Sequence, residues 1–440
     1  MHKISIVGYG RFGQVLEQLL QSSEHVIKVF DSKTAPYEIG EVYQSDTVFY
    51  AVPISSFEKV LHEHVRYLHN DHLLIDVLSV KSWPESIFRS ITKQSGSRYL
   101  LTHPMFGPDS ASKGFNGLPI VIDRGTATNK EYQYWLEYFT HAGLQPVEMS
   151  ADEHDQLAAK SQGLTHFIGR LLDDMNFTQT KIDTTGAKQL HQIKTQTCND
   201  TWQLFTDLQT KNPYTSQMRD RLGDSFNKLY NQLLPKHVKA NVLTVGIQGG
   251  EGSFNEQALQ SLQQSTLSDE SIDTKYLYTT KNVLDHLHRG EIDLGLFAIQ
   301  NSVGGLVQES IEACAKHRFD IHHKFEILIS HHLMKLPNIT DDKINKIMAH
   351  PQVLKQCRTT LIDRYPDVEI VSGQGELIDT ATAAKALAAQ NGEISSTIAI
   401  LGPKILSDIY DLEIIDSDLQ DNQNNLTEFI LASRPGWQDL

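Results

Sequence analysis

The feature that most limits what this chain can fold into lies at its start. The apolar run 4–7 is followed by Gly8-Tyr9-Gly10-Arg11-Phe12-Gly13 and then by the helically spaced Val15, Leu16, Leu19 and Leu20. A bare Gly-x-Gly-x-x-Gly says little, but between a strand and a helix each glycine has a task. The first permits the tight turn, the second lets the backbone approach a pyrophosphate, and the third lets helix and strand pack closely, with the anion at the amino end of the helix. The pattern predicts a dinucleotide site on Gly8, Tyr9, Gly10, Arg11, Phe12 and Gly13. Asp31 ends the second predicted strand, where an acid can accept hydrogen bonds from both ribose hydroxyls and repel a 2′-phosphate. NAD is therefore expected, with NADP kept as the alternative because Ser32 and Lys33 soften that discrimination.

Short β-branched runs continue at 47–52 and 73–77, alternating with amphipathic stretches as far as Met149. That rhythm predicts an α/β fold with a doubly wound parallel sheet. From Ala151 to about Leu234 the pattern is all-helical, broken near Asn212-Pro213. Its apolar faces need covering, and a homodimer through this segment is the expectation. Leu234-Pro235-Lys236-His237 interrupts the helices, and the strand 242–247 opens a second α/β series with candidates at 294–299, 344–348, 370–371 and 397–401. The expected division is residues 1–150, a Rossmann dinucleotide-binding domain; 151–237, a helical domain; and 238–440, a second α/β domain.

At 440 residues, 40% of them hydrophobic and 21% charged, the chain suits two or three globular cores. A formal charge of −15 with no basic stripe argues against a nucleic-acid surface. Met1-His2-Lys3 leads straight into an apolar strand without signal-peptide regions, and no apolar run has membrane-spanning length, so a cytoplasmic protein without a membrane partner is expected. Cys198, Cys314 and Cys357 have no short spacing that would suggest a disulfide framework or zinc. His322-His323 and His331-His332 lack acidic partners at helical spacing, so they read as exposed strand or loop residues, and no metal is expected.

Open α/β sheets bind ligands beyond the carboxyl ends of their strands. Two polar segments fall there, Asp76-Val77-Leu78-Ser79-Val80-Lys81 and Leu101-Thr102-His103-Pro104-Met105-Phe106-Gly107-Pro108. Together with the glycine loop, Ala51-Val52-Pro53, Glu153-His154-Asp155 and Ser161-Gln162-Gly163-Leu164-Thr165-His166-Phe167, they make the first half resemble the prephenate and arogenate dehydrogenase family. The stretch from Asp76 to Gly117 is most similar to the plant-type arogenate enzymes.

The resemblance implies that His103 is the catalytic histidine bonded to the ring hydroxyl and that Ser79 orients it or the substrate. Hydride leaves the carbinol carbon for a nicotinamide while an imidazole takes the hydroxyl proton; loss of carbon dioxide then aromatises the ring. An imidazole with the ordinary pKa of roughly 6.5 suits that work. His166 is implied at the substrate, and for both His154 and His166 a packing or pairing role stays open. Prephenate-specific relatives carry an arginine shortly before the Asp-Thr-Trp segment, where this chain has Gln196, with Lys194 nearby. Losing a bidentate guanidinium weakens the hold on a dianion and favours arogenate; both substrates stay open.

The second half, from about 242 to 434, resembles prephenate dehydratase, which implies two α/β lobes closing on substrate like a periplasmic binding protein. The landmarks are Gly249-Gly250-Glu251-Gly252-Ser253-Phe254, Ile299-Gln300-Asn301-Ser302, His350-Pro351-Gln352 with Gln356-Cys357, Asp379-Thr380-Ala381, and the run from Asp421 to Phe429. By that resemblance Thr427 assists hydroxide departure while Asn301 and Gln356 position the substrate. The family's Thr-Arg-Phe reads Thr427-Glu428-Phe429, its Ile-Glu-Asn-Ser has Gln300, and the serine before His-Pro-Gln is Ala349. Glu428 is expected at the substrate, either repelling a dicarboxylate at a cost on the order of several kcal/mol or meeting the ammonium of arogenate. Two readings result: a bifunctional enzyme, or a dehydrogenase carrying a degenerate ligand-binding or scaffolding module. The match ends before the small domain that often senses phenylalanine in this family, so feedback by that route is not expected within this sequence.

Overall fold

The computed structural model describes residues 1–33, 38–390, 392 and 394–437, except the side chain of Glu376. The chain divides into two units, Met1–Ser225 and Phe226–Leu440. In the first unit the β-branched runs become β1 (His2–Val7), β2 (His25–Phe30), β3 (Thr47–Tyr50), β4 (Leu73–Asp76), β5 (Arg98–Pro104), β6 (Pro119–Asp123) and β7 (Gln145–Glu148). Between them lie the helices α1 (Arg11–Leu20), α2 (Ile39–Val42), α3 (Ile54–His64), α4 (Ser82–Ser95), α5 (Pro108–Ala111) and α6 (Asn129–His141). The sheet order is β2-β1-β3-β4-β5-β6-β7.

One apolar cluster packs α3 and α4 on one face through Phe57, Leu61, Phe88 and Ile91. The other packs α1 and α6 through Leu16, Leu20, Trp135 and Phe139. Every residue of β3 and β4 is buried, as strands covered on both faces must be. The sheet departs from the wholly parallel expectation at β6, which runs antiparallel to β5. The connecting segment contains only the four-residue α5, too little helix for a parallel crossover.

The helical segment comprises α7 (Ala151–Ala158), a π-helical turn (Ala159–Gly163), α8 (Leu164–Asp174), α9 (Thr185–Cys198), α10 (Trp202–Lys211) and α11 (Thr215–Leu233), with the division between units falling inside α11. Side chains of Ser150, Thr184 and Thr201 accept N–H bonds at the starts of α7, α9 and α10, which is why those helices begin there. Gly169 lets α8 and α9 approach closely, since a Cβ at that position would strike the Thr197 side chain.

The second unit holds β8 (Leu243–Ile247), β9 (Ile272–Tyr276), β10 (Leu294–Asn301), β11 (Gly305–Leu306), β12 (Asp320–Leu328), β13 (His332–Lys335), β14 (Lys346–Ala349), β15 (Glu369–Ser372), β16 (Ile398–Gly402), β17 (Glu413–Asp416) and β18 (Leu426–Ser433). They form two sheets, β12-β18-β10-β8-β9 with β11 on β10, and β15-β14-β16-β13-β17. The chain leaves the first sheet after β12 and returns to it as β18, so two crossing segments join the lobes. This is the expected two-lobed architecture. Among the described residues no helix is long and apolar enough to cross a membrane.

Candidate active sites

The glycine loop has the shape a dinucleotide needs. Gly8 has φ +101°, and a Cβ there would strike the Ala51 carbonyl; a Cβ on Gly13 would strike the Gly8 carbonyl, while one on Gly10 would meet nothing within 4 Å among the described residues. Gly10 starts α1 without a side-chain cap or an acid in the first turn, leaving N–H groups and a positive helix end for an anion. Asp31 is fixed beside the loop, accepting from the Tyr9 N–H at 3.1 Å and the Lys33 N–H at 2.9 Å. Each carboxylate oxygen keeps acceptor capacity for ribose hydroxyls. Arg11 pairs with Asp109 at 3.0 Å on the surface, and Phe12 lies 6.3 Å from Phe106, so the loop borders the segment that follows His103. These residues fit NAD.

His103 lies near the carboxyl end of β5, only 2% exposed. Its Nδ1 meets His154 Nε2 at 2.7 Å, and His154 Nδ1 meets Asp155 Oδ1 at 2.8 Å. Asp155 also accepts the backbone N–H of Lys81 at 2.8 Å and of Ser82 at 2.9 Å, at the amino end of α4. Beside this line the Lys81 ammonium pairs with the Asp76 carboxylate and donates to the Thr102 carbonyl at 2.6 Å, both side chains being sealed from solvent. Burial pushes the Asp76 carboxyl up and the Lys81 ammonium down, each partner opposing the shift of the other. Burial, then His154 and Lys81, push the His103 imidazole well below its ordinary value. The expectation of an unperturbed histidine is therefore corrected: interior placement beside a buried cation disfavours its charged form. Ser79 is half-buried on the bend after β4, and among the described residues no hydrogen bond joins it to His103.

The π-helical turn changes which side chains share a face further along the same long helix. Its wider turn sets the helix back by about one residue, so His154, Gln162, His166 and Arg170 fall toward one side. Gln162 Oε1, His166 Nδ1 and Arg170 Nε are all buried without a hydrogen-bond partner among the described residues. His166 lies 4.0 Å from the Asp200 carboxylate, and burial lowers its pKa despite that acid. Arg170 donates to the Asp200 carbonyl at 2.6 Å and lies over the rings of Trp202 and Phe205. Gln196 points elsewhere: it is exposed on α9, while its neighbour Thr197 is the buried one.

In the second unit Asn301 and Thr427 are register partners on β10 and β18. Asn301 Nδ2 donates to Thr427 Oγ1 at 2.8 Å and to Asn425 Oδ1 at 2.7 Å. Asn425 Nδ2 reaches Gln356 Oε1 at 3.4 Å, and that oxygen meets His331 Nε2 at 2.8 Å. The three residues expected at this site are thus joined through Asn425 on the segment that returns to β18, with His331 on the other crossing segment bonded to Gln356. His331 corrects an expectation, for it is 1% exposed rather than a surface residue, its ring set edge-on to Phe254.

Glu428 is not part of this network. Alternation along β18 turns it to the face opposite Thr427, where it stands across from Gln300 and pairs with Lys324 at 2.9 Å. The family's glutamate and arginine would face each other at 300 and 428; here the two departures fall on one cross-strand pair, and Lys324 supplies the cation. Ala349 is buried at the end of β14.

Sequence reading singled out Thr427, Asn301, Gln356 and His103 but not the groups that hold them. His154 and Asp155 are visible within the polar triplet Glu153-His154-Asp155, Asn425 lies inside the landmark run 421–429 without a role, His331 reads as a surface residue in the sequence, and Arg170 carries no local signal.

Three family profiles match the chain: "Prephenate dehydrogenase, nucleotide-binding domain" over residues 17–143, "Prephenate dehydratase" over 245–436, and "TYRAAT1-like, C-terminal domain" over 171–242. Arogenate dehydrogenase 1, chloroplastic, of Arabidopsis thaliana is 34% identical over 250 residues, 52% of this chain and 39% of that protein. Arogenate dehydratase/prephenate dehydratase 2, chloroplastic, of the same plant is 27% identical over 214 residues, 46% of this chain and 52% of that protein. This chain thus spans about two fifths of the first and half of the second. Arogenate dehydrogenase 2, chloroplastic, also of Arabidopsis thaliana, is 32% identical over 254 residues, 52% of this chain and 70% of that protein. With most of that relative matched and a nucleotide-binding loop, a buried histidine and a dehydratase-like pair of lobes in place, the chain belongs to the arogenate dehydrogenase family and carries a prephenate dehydratase-like domain behind it.

Proposed function

We propose that the chain is a bifunctional enzyme of aromatic amino-acid biosynthesis. Residues 1–150 and 151–237 carry an NAD-dependent oxidative decarboxylation of arogenate, with prephenate as the poorer substrate, and residues 238–440 carry the dehydratase reaction. The observation behind the first activity is His103: an interior histidine at a strand end, beyond a loop fitted to a dinucleotide, with its Nδ1 already bonded. Nε2 is then the atom that takes the proton of the ring hydroxyl. NAD supplies the hydride acceptor. Ser79 orients the hydroxyl, and His166 with Gln162 binds the rest of the substrate.

Arg170 provides the guanidinium for the side-chain carboxylate that Gln196 cannot, and the Asp200 carboxylate beside His166 complements an ammonium, which favours arogenate. In the second half, Thr427 donates to the departing hydroxyl while Asn301 and Gln356 hold the substrate. Support comes from their joined hydrogen bonds and from the Lys324 pairing that keeps Glu428 off that face. Homodimerisation through the helical segment and a cytoplasmic location belong to the same proposal.

The test offers the purified chain arogenate and prephenate separately, with and without NAD, following NADH absorbance and release of phenylalanine or phenylpyruvate. NADH with arogenate and cofactor-independent phenylalanine support the proposal in full. NADH alone reduces the second half to a binding module, the reading that Ala349 favours, and silence in both assays rejects the proposal.

A further inference from the structure

We propose that His154 and Asp155 act with His103 as a relay that fixes which nitrogen of His103 is the base and takes over the proton it receives; this rests on the dehydrogenase reading. His154 and Asp155 are positioning residues, since neither needs to touch substrate.

The bonding pattern leaves one consistent arrangement. Asp155 sits at the amino end of α4, bonded to two backbone N–H groups, which favours its ionised form. An ionised carboxylate only accepts, so His154 Nδ1 must donate to it. A neutral His154 then has its lone pair on Nε2, so His103 Nδ1 must donate, and the lone pair of His103 is left on Nε2. Although burial opposes it, the bonds from His154 and from the N–H groups of Ser82 and Lys81 hold the Asp155 carboxyl below its usual range.

During oxidation the substrate's C–H electron pair leaves as hydride to the nicotinamide, and its O–H proton goes to His103 Nε2. The Nδ1 proton of His103 then passes to His154 Nε2. The positive charge rests on the His154 imidazolium against the Asp155 carboxylate, not on His103, where burial and the Lys81 ammonium oppose it. The charged groups facing the relay are Lys81 and Asp76, already paired with each other. The two histidines lie 51 positions apart, brought together where the first half of α7 meets the carboxyl end of β5.

The test compares the full-length wild type with His154→Gln, Asp155→Asn and, as a control on the same helix, the exposed Asp152→Asn, in NADH formation from arogenate between about pH 6 and 9. Binding of NAD and thermal unfolding are measured on each. The relay predicts that His154→Gln lowers kcat about 100-fold, with KM and NAD affinity within about twofold, and that its residual kcat rises with pH because a solvent base must take the proton. Asp155→Asn loses about tenfold with the same tilt of the pH profile, and Asp152→Asn stays at the wild-type rate. Either relay variant within about threefold of wild type at all pH values overturns the relay. So does a loss carried by KM or unfolding with an unshifted pH profile, which marks a structural role. A wild type that makes no NADH from arogenate or prephenate overturns the dehydrogenase reading itself, and the relay with it.

Discussion

Around His103 the first unit gathers ionisable groups, with His154 and Asp155 on α7, Lys81 at the start of α4 and Asp76 at the end of β4 all nearly sealed from solvent. Around Thr427 the second unit gathers neutral ones, the amides of Asn301 at the end of β10, of Asn425 on the segment returning to β18, and of Gln356 on the helix after β14. Oxidation brings a proton into the protein, so a counter-charge has to be waiting behind the base, and the two N–H bonds from the start of α4 hold Asp155 there. Dehydration sends its leaving groups out. Neutral donors can grip a carboxylated substrate without a permanent charge to desolvate.

The largest effect should come from breaking the buried ion pair. Lys81→Met leaves Asp76 uncompensated and is expected to destabilise the first unit by about 3–5 kcal/mol, whereas Lys81→Met with Asp76→Leu recovers most of it; denaturant unfolding measures both. The second prediction concerns pH. His64 is buried against Tyr43 and pushed down to about 4 by burial. The unfolded chain takes up that proton near pH 6.5 and the folded chain only near 4, so this contribution to stability is complete above pH 6.5 and lost as pH falls through that window. Calorimetry of the first unit's transition should show about 2 kcal/mol lost by pH 5, and less in His64→Asn.

Arg170→Gln should raise KM for arogenate about tenfold, equivalent to about 1.4 kcal/mol, with kcat within twofold. The smallest change is expected from Glu428→Arg. With Glu428 off the catalytic face, steady-state dehydratase rates shift by less than about threefold, because the change replaces a half-buried pair with Lys324 by a like-charge contact away from the substrate. A gain or loss well beyond that would put position 428 back at the substrate.

Much of this was legible in the sequence where the signal was local. Gly8, Gly10 and Gly13 named their turn, the apolar runs named most strands, and His103 stood where a strand end had to be. What escaped depended on pairing over long separations. Nothing near His331 reveals that Gln356 covers it, and the face taken by Glu428 follows from the register of β18 against β10. The antiparallel β6 followed from a connection too short in helix, a length that composition does not flag. The π-helical turn that aligns His154 with His166 adds an offset of about one residue to a helix whose apolar pattern looks ordinary.

On this reading one chain holds two separate reaction centres. The most direct test assays one preparation each of wild type, His103→Asn and Thr427→Val for NADH formation and for cofactor-independent dehydration of arogenate and prephenate. Wild type should do both. His103→Asn should lose NADH formation about 1,000-fold and Thr427→Val should lose dehydration about 100-fold, each leaving the other activity within twofold. A variant that abolishes both activities without unfolding, or a wild type with neither, contradicts the account.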